Sequence, residues 1–558
     1  MEADDLLRGL DEQQRVAVES LIGPTCLLAG AGTGKTRAIT RRIAYGIATG
    51  VYPPNRVMAL TFTSRAAGEL RGRLRALGAA GVQARTFHSA ALAQLNFFWP
   101  TVVGGSLPSI VETKGRLLAQ AAESLRLRLD TATLRDLAAE VEWRKVSRLT
   151  LDQYAELLPS RTLPPAIDAE RMLAMHRAYE DIKDQSRRID FEDVLLAAAG
   201  MIEAEPRVAQ QVREQYRFFV VDEYQDVSPL QQTLLELWLG DRQDLCVVGD
   251  ASQTIYSFAG ASAEFLIGFP ARYREATVTR LERNYRSTPQ IVHAANRLMR
   301  SRPGALVLQS AQPAAGGAEP VVASYPTEAA EARAVAAAIA EEIAAGARPQ
   351  DIAVLYRVNS QGAAIETALA DAGIAFQVRG GSRFFDLQEV KQAMMLLKGA
   401  LVAAQPDPLF KTVSDVLRGL GWTQRPPEAR GAVRDRWESL NAIMALADAA
   451  PRGTTLRQFV DELAERAAVQ HEPTMATVTL ATLHSAKGLE WESVHIAGLS
   501  EGYLPITYAT DEAAVEEERR LLYVGITRAR RRLRMSWAAT AAGRGGERSP
   551  SRFLAELR

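Results

Sequence analysis

Cysteine is almost absent from this sequence: among 558 residues there are only two, Cys26 and Cys246, and both fall in apolar stretches. A disulfide framework and a cysteine metal site are therefore excluded. Long apolar runs are missing too, since none approaches the ~18 residues that a membrane span needs. The first ten residues, MEADDLLRGL, are acidic where a secretory signal would be basic. We therefore expect a cytoplasmic protein with no membrane partner.

The sequence also lacks net charge, because 66 Lys and Arg residues balance 66 Asp and Glu residues. No overall basic excess therefore points to nucleic acid. Lysine itself is scarce, with only 8 among the 66 basic residues. One of them, Lys35, stands in a glycine-rich loop, where a compact ammonium group suits phosphates better than a planar guanidinium. The length and the apolar content of 47% predict a globular chain of roughly three or four domains.

The stretch from Thr25 to Arg37, TCLLAGAGTGKTR, has the pattern of a strand, a phosphate-binding loop and a helix. Its glycines let backbone N–H groups close around phosphates, with Lys35 reaching the β- and γ-phosphate oxygens and the Thr36 hydroxyl binding Mg²⁺. The usual pattern has glycine where this chain has Ala29. The alternative is a glycine-rich turn that happens to precede Lys35, but the flanking strand and helix argue against it.

A second apolar strand, residues 217–221 (RFFVV), is followed by the acidic sequence DEYQD. Downstream of a phosphate loop, such a strand predicts the other half of an ATPase site. Asp222 would hold Mg²⁺, usually through water, and Glu223 would act as the general base toward the attacking water. A surface acidic turn is the common alternative for a lone Asp-Glu pair, and the presence of Lys35 makes it a poor one.

A further predicted strand, residues 245–248, leads into Gln253, Tyr256 and Phe258. Gln253 is expected to sense the γ-phosphate, while the two aromatic rings stack on bases and so couple the two sites. Aromatic residues just past a strand end more often pack in a core than stack on bases, and both interpretations stay open at this stage.

The order of the patterns predicts two α/β lobes. Residues 90–217 are too long for one βα unit and read as an inserted helical domain. Residues 301–320, rich in Pro, Gly and Ala, read as a linker. A second α/β pattern follows, with predicted strands at 321–325, 352–356, 478–482, 494–497 and 533–537. It has no Gly-Lys-Ser/Thr sequence, so we expect one nucleotide between two lobes, with arginines of the second lobe reaching in.

Ten motifs now stand in one order: LDEQQ, AGAGTGKT, TFTSRAA, TFHS, DEYQD, GDASQTIYSF, NYRS, VRGGSRFF, TLHSAKGLEW and YVGITRA. With them the chain resembles the superfamily 1A DNA helicases of the UvrD/Rep/PcrA family over nearly its whole length. The resemblance implies two RecA-like P-loop lobes, each with a helical insertion. It also implies ATP and Mg²⁺ as cofactors, movement 3′→5′ on single-stranded DNA, and a cytoplasmic, nucleoid-associated enzyme. Its partners would be single strands, single-strand to duplex junctions, and repair or replication proteins.

The same resemblance assigns roles to individual residues. In the nucleotide site, Gln14 would read adenine, Tyr285 and Arg37 would sandwich the base, and Glu490 would contact the ribose. The catalytic set would be Lys35, Glu223, Gln253, Arg286 and Arg528, the two arginines contacting the γ-phosphate. The loop itself would be formed by Ala29, Gly30, Ala31, Gly32, Thr33, Gly34, Lys35 and Thr36. The single-strand path would be lined by Phe62, Thr63, His88, Tyr256, Phe258, Arg357 and His484.

By the resemblance, the first lobe comprises residues 1–90 and 187–300, around a helical insertion at 91–186. The second comprises residues 301–386 and 475–558, around an insertion at 387–474 that is shorter than in better-known members and should bury little core of its own. Two further departures are Ala259, where the family usually has Arg, and Phe258, where it more often has Trp. Two functions therefore stay open: a helicase that unwinds duplex DNA, and a single-strand translocase that displaces bound proteins but hardly unwinds.

Overall fold

The structure is a computed structural model that describes residues 2–129, 131–161, 163–164, 167–312, 317–379, 385, 387–401, 408–424, 432–448, 450–451, 453–469, 476–540 and 547–557. Its contacts divide the chain into two units. Unit 1 comprises Met1–Gly30 and Gly34–Leu281, and unit 2 comprises Ala31–Thr33 and Glu282–Arg558. Each unit contains a parallel sheet with helices, so the predicted α/β class is confirmed. The domain boundaries inside the units stay predictions.

Unit 1 is built on a six-stranded parallel sheet in the order β3-β2-β6-β7-β1-β8. Its strands are β1 (Thr25–Ala29), β2 (Val57–Thr61), β3 (Gln83–Thr86), β6 (Phe218–Val221), β7 (Leu245–Gly249) and β8 (Thr277–Leu281), and a separate two-stranded sheet pairs β4 (Ser109–Ile110) with β5 (Arg188–Ile189). Successive residues of a strand point to opposite faces. Phe218 and Val220 accordingly join one buried core, and Phe219 and Val221 the other. Both faces are covered, as a parallel sheet requires.

The described residues of unit 1 form fourteen helices. They are α1 (Ala3–Leu7), α2 (Glu12–Glu19), α3 (Lys35–Ala48), α4 (Ser64–Ala76), α5 (Phe87–Val102), α6 (Lys114–Ser124), α7 (Thr131–Val146), α8 (Leu151–Leu157), α9 (Ala169–Gln185), α10 (Phe191–Ala204), α11 (Pro206–Gln215), α12 (Pro229–Leu239), α13 (Glu264–Ile267) and α14 (Phe269–Arg272). Helices α6 to α9 fall in the predicted insertion and enclose a core of their own, with Leu118, Tyr154 and Tyr179 at its centre.

Unit 2 contains a second six-stranded parallel sheet, in the order β11-β16-β15-β12-β14-β13. Its strands are β11 (Val321–Tyr325), β12 (Ile352–Tyr356), β13 (Phe376–Arg379), β14 (Val478–Thr482), β15 (Trp491–Ile496) and β16 (Ala529–Ala538), and β9 (Arg283–Asn284) pairs with β10 (Gln309–Ser310) in a small sheet. The helices of the unit are α15 (Pro289–Leu298), α16 (Glu328–Ala344), α17 (Gly362–Asp371), α18 (Gln388–Ala400), α19 (Leu409–Gly419), α20 (Ala432–Asp448), α21 (Leu456–Val469), α22 (Glu512–Ile526) and α23 (Arg552–Glu556).

The insertion at 387–474 differs from expectation in its packing. Helices α18 to α21 enclose a separate hydrophobic core in which Trp422, Trp437 and Phe459 are buried among aliphatic residues. The expectation that this short segment buries little core is therefore wrong, since large aromatic side chains compensate for its length. The sequence predicts helix breaks at residues 405–408 and 424–432, which lie mostly outside the described residues, as does most of the VRGGSRFF motif.

In the two six-stranded sheets, the strands that sequence patterns miss are β8 and β13, which lie at sheet edges and are only partly buried. The apolar sequence VMALTFT predicts a strand over residues 57–63, but the strand ends at Thr61, because Thr63 caps α4 with its hydroxyl. No helix in the described ranges has the length and apolar character that a bilayer crossing demands.

Candidate functional site

The predicted catalytic residues of unit 1 follow strands that are neighbours in the sheet. Strand β1 leads into the glycine-rich loop at Gly30, β6 into Asp222, and β7 into Asp250. These three strands stand side by side in the order β6-β7-β1 and run parallel. The carboxyl ends of parallel strands meet at one edge, which is where open α/β sheets bind ligands.

The loop before α3 has the backbone that phosphate binding requires. Gly34, the N-cap of the helix, has φ of +82°, which L side chains rarely adopt. A Cβ built on Gly34 would lie 2.8 Å from Nε2 of Gln14, which is itself completely buried. The amide of Gln14 therefore packs against the end of the loop, next to Lys35 at the first turn of α3. Its adenine-reading role stays a prediction.

Ala31 and Gly32 are held by residues of unit 2, the unit to which they belong. The buried Asn284 side chain donates from Nδ2 to the Ala31 carbonyl oxygen at 2.7 Å, and Tyr285 N donates to the Gly32 oxygen at 2.8 Å. A Cβ on Gly32, whose φ is +70°, would lie 2.6 Å from Asn284. Sequence reasoning missed Asn284, although it precedes Tyr285 in the NYRS motif.

Lys35 and Glu223 face each other. Nζ of Lys35 lies 3.9 Å from Oε1 of Glu223, close to the longest separation of an ion pair. Glu223 has φ of +53°, a left-handed conformation that is uncommon for a residue with a side chain. Such strain collects at functional sites, where the surrounding structure enforces it.

Asp222 precedes Glu223, and its environment disfavours the charged form. Burial, together with the neighbouring charge of Glu223, raises the pKa of Asp222 to about 7, although Lys35 opposes the shift. The Asp222 carboxylate accepts a hydrogen bond from Glu223 N at 3.0 Å. A carboxylate in such surroundings would be stabilised in its ionised form by a nearby cation.

The residues present suit Mg²⁺ bound together with a nucleotide. Among the described residues there is no group of three or more His, Cys, Asp or Glu side chains that could hold a metal by themselves. Mg²⁺ keeps several waters and typically takes one or two protein ligands beside substrate phosphates. The Thr36 hydroxyl and the Asp222 carboxylate, which the sequence predicts as ligands, would supply two such oxygens, and their role stays a prediction.

A chain of hydrogen bonds links Glu223 to Gln253. Gln225, which is fully buried, donates from Nε2 to Glu223 Oε2 at 2.6 Å and accepts at Oε1 from Asp250 N at 3.0 Å. The Asp250 carboxylate in turn accepts from Gln253 Nε2 at 2.7 Å. The predicted general base and the predicted γ-phosphate sensor are thus connected through two side chains. Sequence reasoning gave Gln225 and Asp250 no role, although both lie in quoted motifs.

The remaining predicted nucleotide contacts already have protein partners. Arg37, in unit 1, donates to the Gly9 oxygen at 2.9 Å. In unit 2, Arg286 donates to Glu490 and, at 3.0 Å, to the Thr527 oxygen. Burial alone would raise the pKa of Glu490, but Arg286 and Arg530 outweigh it and hold the pKa below its usual value.

Arg528 is deeply buried in unit 2. Its guanidinium donates to the Val524 oxygen at 2.9 Å and to the Leu489 oxygen at 3.2 Å, and also reaches the Thr527 hydroxyl. Arg286 and Arg528 therefore meet at residue 527, one through its carbonyl and the other through its hydroxyl. The structure brings these two predicted γ-phosphate contacts together within their unit.

The aromatic residues of unit 1 differ in exposure. Phe258 is 63% exposed and meets Tyr256 edge-on at 6.1 Å between ring centroids. The Phe62 side chain is only partly exposed, because it packs against the core of the unit. The neighbouring Thr63 uses its hydroxyl to accept from Ala66 N at 3.1 Å. Of these positions Phe258 offers the widest surface for stacking on a base.

Both predicted path histidines are neutral around pH 7. Burial and the nearby Lys114 lower the pKa of His88 to about 4, and burial, Arg357 and Lys487 do the same for His484. His88 lies in the first turn of α5, where the ring of Phe191 meets it edge-on at 5.9 Å between centroids. Phe191 is 48% exposed and was missed, since nothing in its local pattern separates it from a core residue.

The comparisons with known proteins agree with this arrangement. Residues 10–274 match the family model described as the UvrD/REP helicase N-terminal domain, and residues 279–426 and 435–540 match the UvrD-like helicase C-terminal domain. The chain is 47% identical over 574 residues to the ATP-dependent DNA helicase UvrD2 of Mycobacterium tuberculosis, covering 99% of this chain and 82% of the relative. It is 30% identical over 650 residues to DNA helicase II of Escherichia coli, covering all of this chain and 88% of the relative. The chain therefore belongs to the UvrD/Rep/PcrA family of superfamily 1A helicases.

Proposed function

We propose that this protein is an ATP-dependent DNA helicase that moves 3′→5′ along single-stranded DNA and unwinds duplex ahead of it. One observation carries the proposal: Lys35 at the phosphate loop faces Glu223, which a hydrogen-bond chain connects to Gln253, in a chain that belongs to a helicase family. Its relatives are named ATP-dependent DNA helicases, which supports ATP and DNA as the ligands here.

In the proposed reaction, Lys35 and the loop N–H groups bind the β- and γ-phosphates. Thr36 and Asp222 would hold Mg²⁺, which neutralises charge on the phosphate oxygens when it is bound. Glu223 accepts a proton from the attacking water, a role worth ~10²–10⁴ in rate for a positioned base. Gln225 fixes the carboxylate of Glu223 through the bond at 2.6 Å, so the base keeps one orientation.

For the other residues of the nucleotide site we propose the roles that the sequence motifs imply. Gln14 reads adenine, Arg37 and Tyr285 hold the base, and Glu490 contacts the ribose. Arg286 and Arg528 stabilise the charge that develops on the γ-phosphate, an effect worth ~10³–10⁵ in rate for an arginine finger. Each of these arginines would exchange a protein acceptor, such as the carbonyl oxygen of residue 527 or residue 489, for a phosphate oxygen.

We propose that Phe62, Thr63, His88, Tyr256, Phe258, Arg357 and His484 line the path of the single strand. Stacking on aromatic side chains tolerates any base, as a translocating enzyme needs. Since His88 and His484 are neutral, they would contact the strand by stacking or hydrogen bonding, and the phosphate charge would fall to arginines. Repair or replication, in the cytoplasm and on the nucleoid, is the cellular setting that we propose.

A second candidate is a single-strand translocase that displaces bound proteins but unwinds little. The alignment with DNA helicase II of Escherichia coli extends over 650 residues, although this chain has 558, so that relative carries segments that are missing here. If the missing part includes duplex-binding surface in the insertion at 387–474, unwinding by a lone molecule would be weak.

Two assays in parallel test both candidates. Strand displacement is measured on duplexes with either a 3′ or a 5′ single-stranded tail, beside ATP hydrolysis with and without a single-stranded oligonucleotide. The helicase proposal predicts stimulated hydrolysis and displacement from the 3′ tail only. Stimulated hydrolysis without displacement favours the translocase, and hydrolysis that ignores single strands contradicts both.

A further inference from the structure

At the carboxyl edge of the second sheet, two predicted DNA contacts lie among residues to which the motifs give no role. Strands β12 and β14 are neighbours there, and Arg357 and His484 follow them. On the other side of β12 lies β15, which leads into a loop that contains Ile506 and Tyr508. The ring of Tyr508 is 73% exposed, the largest exposure among the large apolar and aromatic side chains of the described chain.

One carboxylate, that of Glu518 in α22, holds these segments together. Arg357 donates to it from Nε at 3.0 and 3.1 Å and from Nη2 at 2.8 Å, a bidentate pair. The same carboxylate accepts from Ile506 N at 3.3 Å. Glu518 is 5% exposed, so the pair is shielded from water and its geometry is well defined.

The ion pair with Glu518 fixes the orientation of the Arg357 guanidinium but does not occupy all of its N–H groups. Nη2 of Arg357 also donates to the Tyr508 hydroxyl at 3.5 Å, whereas Nη1 has no hydrogen-bond partner in the described part of the chain and is not among its buried unpartnered atoms. Two N–H groups therefore remain for a phosphate oxygen. Gln361 further fixes the backbone, because its side-chain oxygen accepts from Arg357 N and Val358 N at 2.9 Å each.

We propose that Glu518 is a positioning residue that presents Arg357 as a phosphate contact and Tyr508 as a base-stacking contact for single-stranded DNA. The inference rests on the proposed function, since it names two further features of the same DNA path. An exposed tyrosine ring beside an arginine matches the chemistry of a single strand, which offers a base face next to each phosphate. Glu518 and Tyr508 belong to no motif that sequence reasoning assigned to DNA.

Glu518 connects this surface to the nucleotide contacts of the same unit. Helix α22 begins at Glu512 and ends at Ile526, directly before Thr527 and Arg528. The carbonyl of Thr527 accepts from Arg286, and the carbonyl of Val524 in the last turn accepts from Arg528. One helix thus carries the carboxylate that orients the DNA contacts and the groups that hold both predicted γ-phosphate arginines.

The direction in which Glu518→Gln changes DNA affinity distinguishes two roles of the carboxylate: positioning Arg357 and Tyr508, or competing with DNA for Arg357. Removing a negative charge beside a polyanion path would by itself strengthen DNA binding. If Glu518 positions Arg357 and Tyr508, the substitution weakens binding instead, because the Gln amide nitrogen is a donor and cannot replace Oε2, which accepts from Arg357 Nε and from Ile506 N. Tighter binding would mean that the carboxylate only competes with DNA for Arg357, and it would overturn the proposal.

The test uses the full chain and a fluorescein-labelled oligothymidylate of about 20 nucleotides, with fluorescence anisotropy for binding. We expect Glu518→Gln and Tyr508→Ala each to raise the Kd about tenfold, within the range for a lost stacked base, while Tyr508→Phe stays near wild type. ATP hydrolysis titrated with the same oligonucleotide should show a raised half-saturating DNA concentration and a maximal rate within about twofold of wild type. This split between affinity and maximal rate would not follow from general loss of structure.

The matched control is Glu501→Gln, which breaks another bidentate pair in unit 2, that with Arg552 at 2.7–3.2 Å on the surface. It should leave the Kd unchanged. If Glu518→Gln lowers the melting temperature and the maximal rate together, this indicates a loss of structure. In that case the test rests on Tyr508→Ala, which changes an exposed side chain. An unchanged Kd for the oligonucleotide in Tyr508→Ala overturns the proposal. If wild type itself neither binds the oligonucleotide nor responds to it in hydrolysis, the proposed function fails, and this inference fails with it.

Discussion

Replacing Glu223 with Gln removes the proposed general base while keeping its shape. Glu223 Oε2 accepts from Gln225 Nε2 at 2.6 Å, and a Gln side chain can keep that bond with its oxygen. Its amide nitrogen then takes the place of Oε1, 3.9 Å from Lys35 Nζ, which is too far for a close donor–donor clash. The fold and the nucleotide contacts should therefore survive. What is lost is proton acceptance from water, about 10²–10⁴ in rate or about 3–5 kcal/mol of barrier.

The assay measures kcat for ATP hydrolysis with saturating oligothymidylate, beside equilibrium binding of a fluorescent ATP analogue. Glu223→Gln should lose at least about a hundredfold in kcat and keep its nucleotide affinity. Lys35→Ala should instead lose the affinity, because Lys35 contacts the phosphates. Glu214→Gln, an exposed carboxylate bonded to Gln210 in the same unit, serves as the control and should behave as wild type. Hydrolysis by Glu223→Gln at the wild-type rate would refute the assignment of the base.

Three further predictions concern the DNA path, the second insertion and acid stability. Phe258→Ala and Phe62→Ala should each weaken binding of oligothymidylate by ~1–3 kcal/mol in an anisotropy titration, and unchanged affinity in both would show that bases do not stack on these rings. Replacing residues 387–474 by a short Gly-Ser linker should alter strand displacement only modestly, because helices α18 to α21 enclose their own core, and a large activation would contradict this. Burial and the charges of Arg144 and Lys145 lower the pKa of the fully buried His176 to about 3, so the unfolded chain, with a pKa of about 6.5, takes up the proton first as pH falls. His176 alone should then lower the free energy of unfolding by about 2 kcal/mol between pH 7.5 and 5. His176→Gln should make the total drop, to which His88 and His484 also contribute, smaller by that amount in denaturant unfolding; a drop of the same size in the variant would contradict the lowered pKa of His176.

The sequence predicted the parts of the fold that depend on local pattern. Buried strands such as β1, β6 and β7 are short apolar runs, and the residues after them carry the chemistry, so Lys35, Asp222 and Glu223 were predictable together. The edge strands β8 and β13 were missed because partly exposed strands lack a continuous apolar run. The core of the second insertion was underestimated, since apolar periodicity does not reveal how closely Trp422 and Trp437 pack.

Contacts between residues far apart in the chain were beyond sequence reasoning. Arg357 and Glu518 are separated by 161 positions, and only the order of strands in the sheet brings them together. The same holds for Asn284, which contacts Ala31 across 253 positions. A motif names a residue type at a spacing, but the partner that orients it, such as Gln225 for Glu223, follows from the three-dimensional arrangement.

The central claim is ATP-driven movement in one direction along single-stranded DNA, and stopped-flow fluorescence tests it most directly. Oligothymidylates of increasing length carry a dye at either the 5′ or the 3′ end, and the protein is bound in advance and mixed with ATP and a trap for dissociated molecules. Movement from 3′ to 5′ predicts a signal whose delay grows with length when the dye is at the 5′ end, and a length-independent decay when it is at the 3′ end. A delay that grows with length only for the 3′ dye, or no ATP-dependent delay with either, would contradict it.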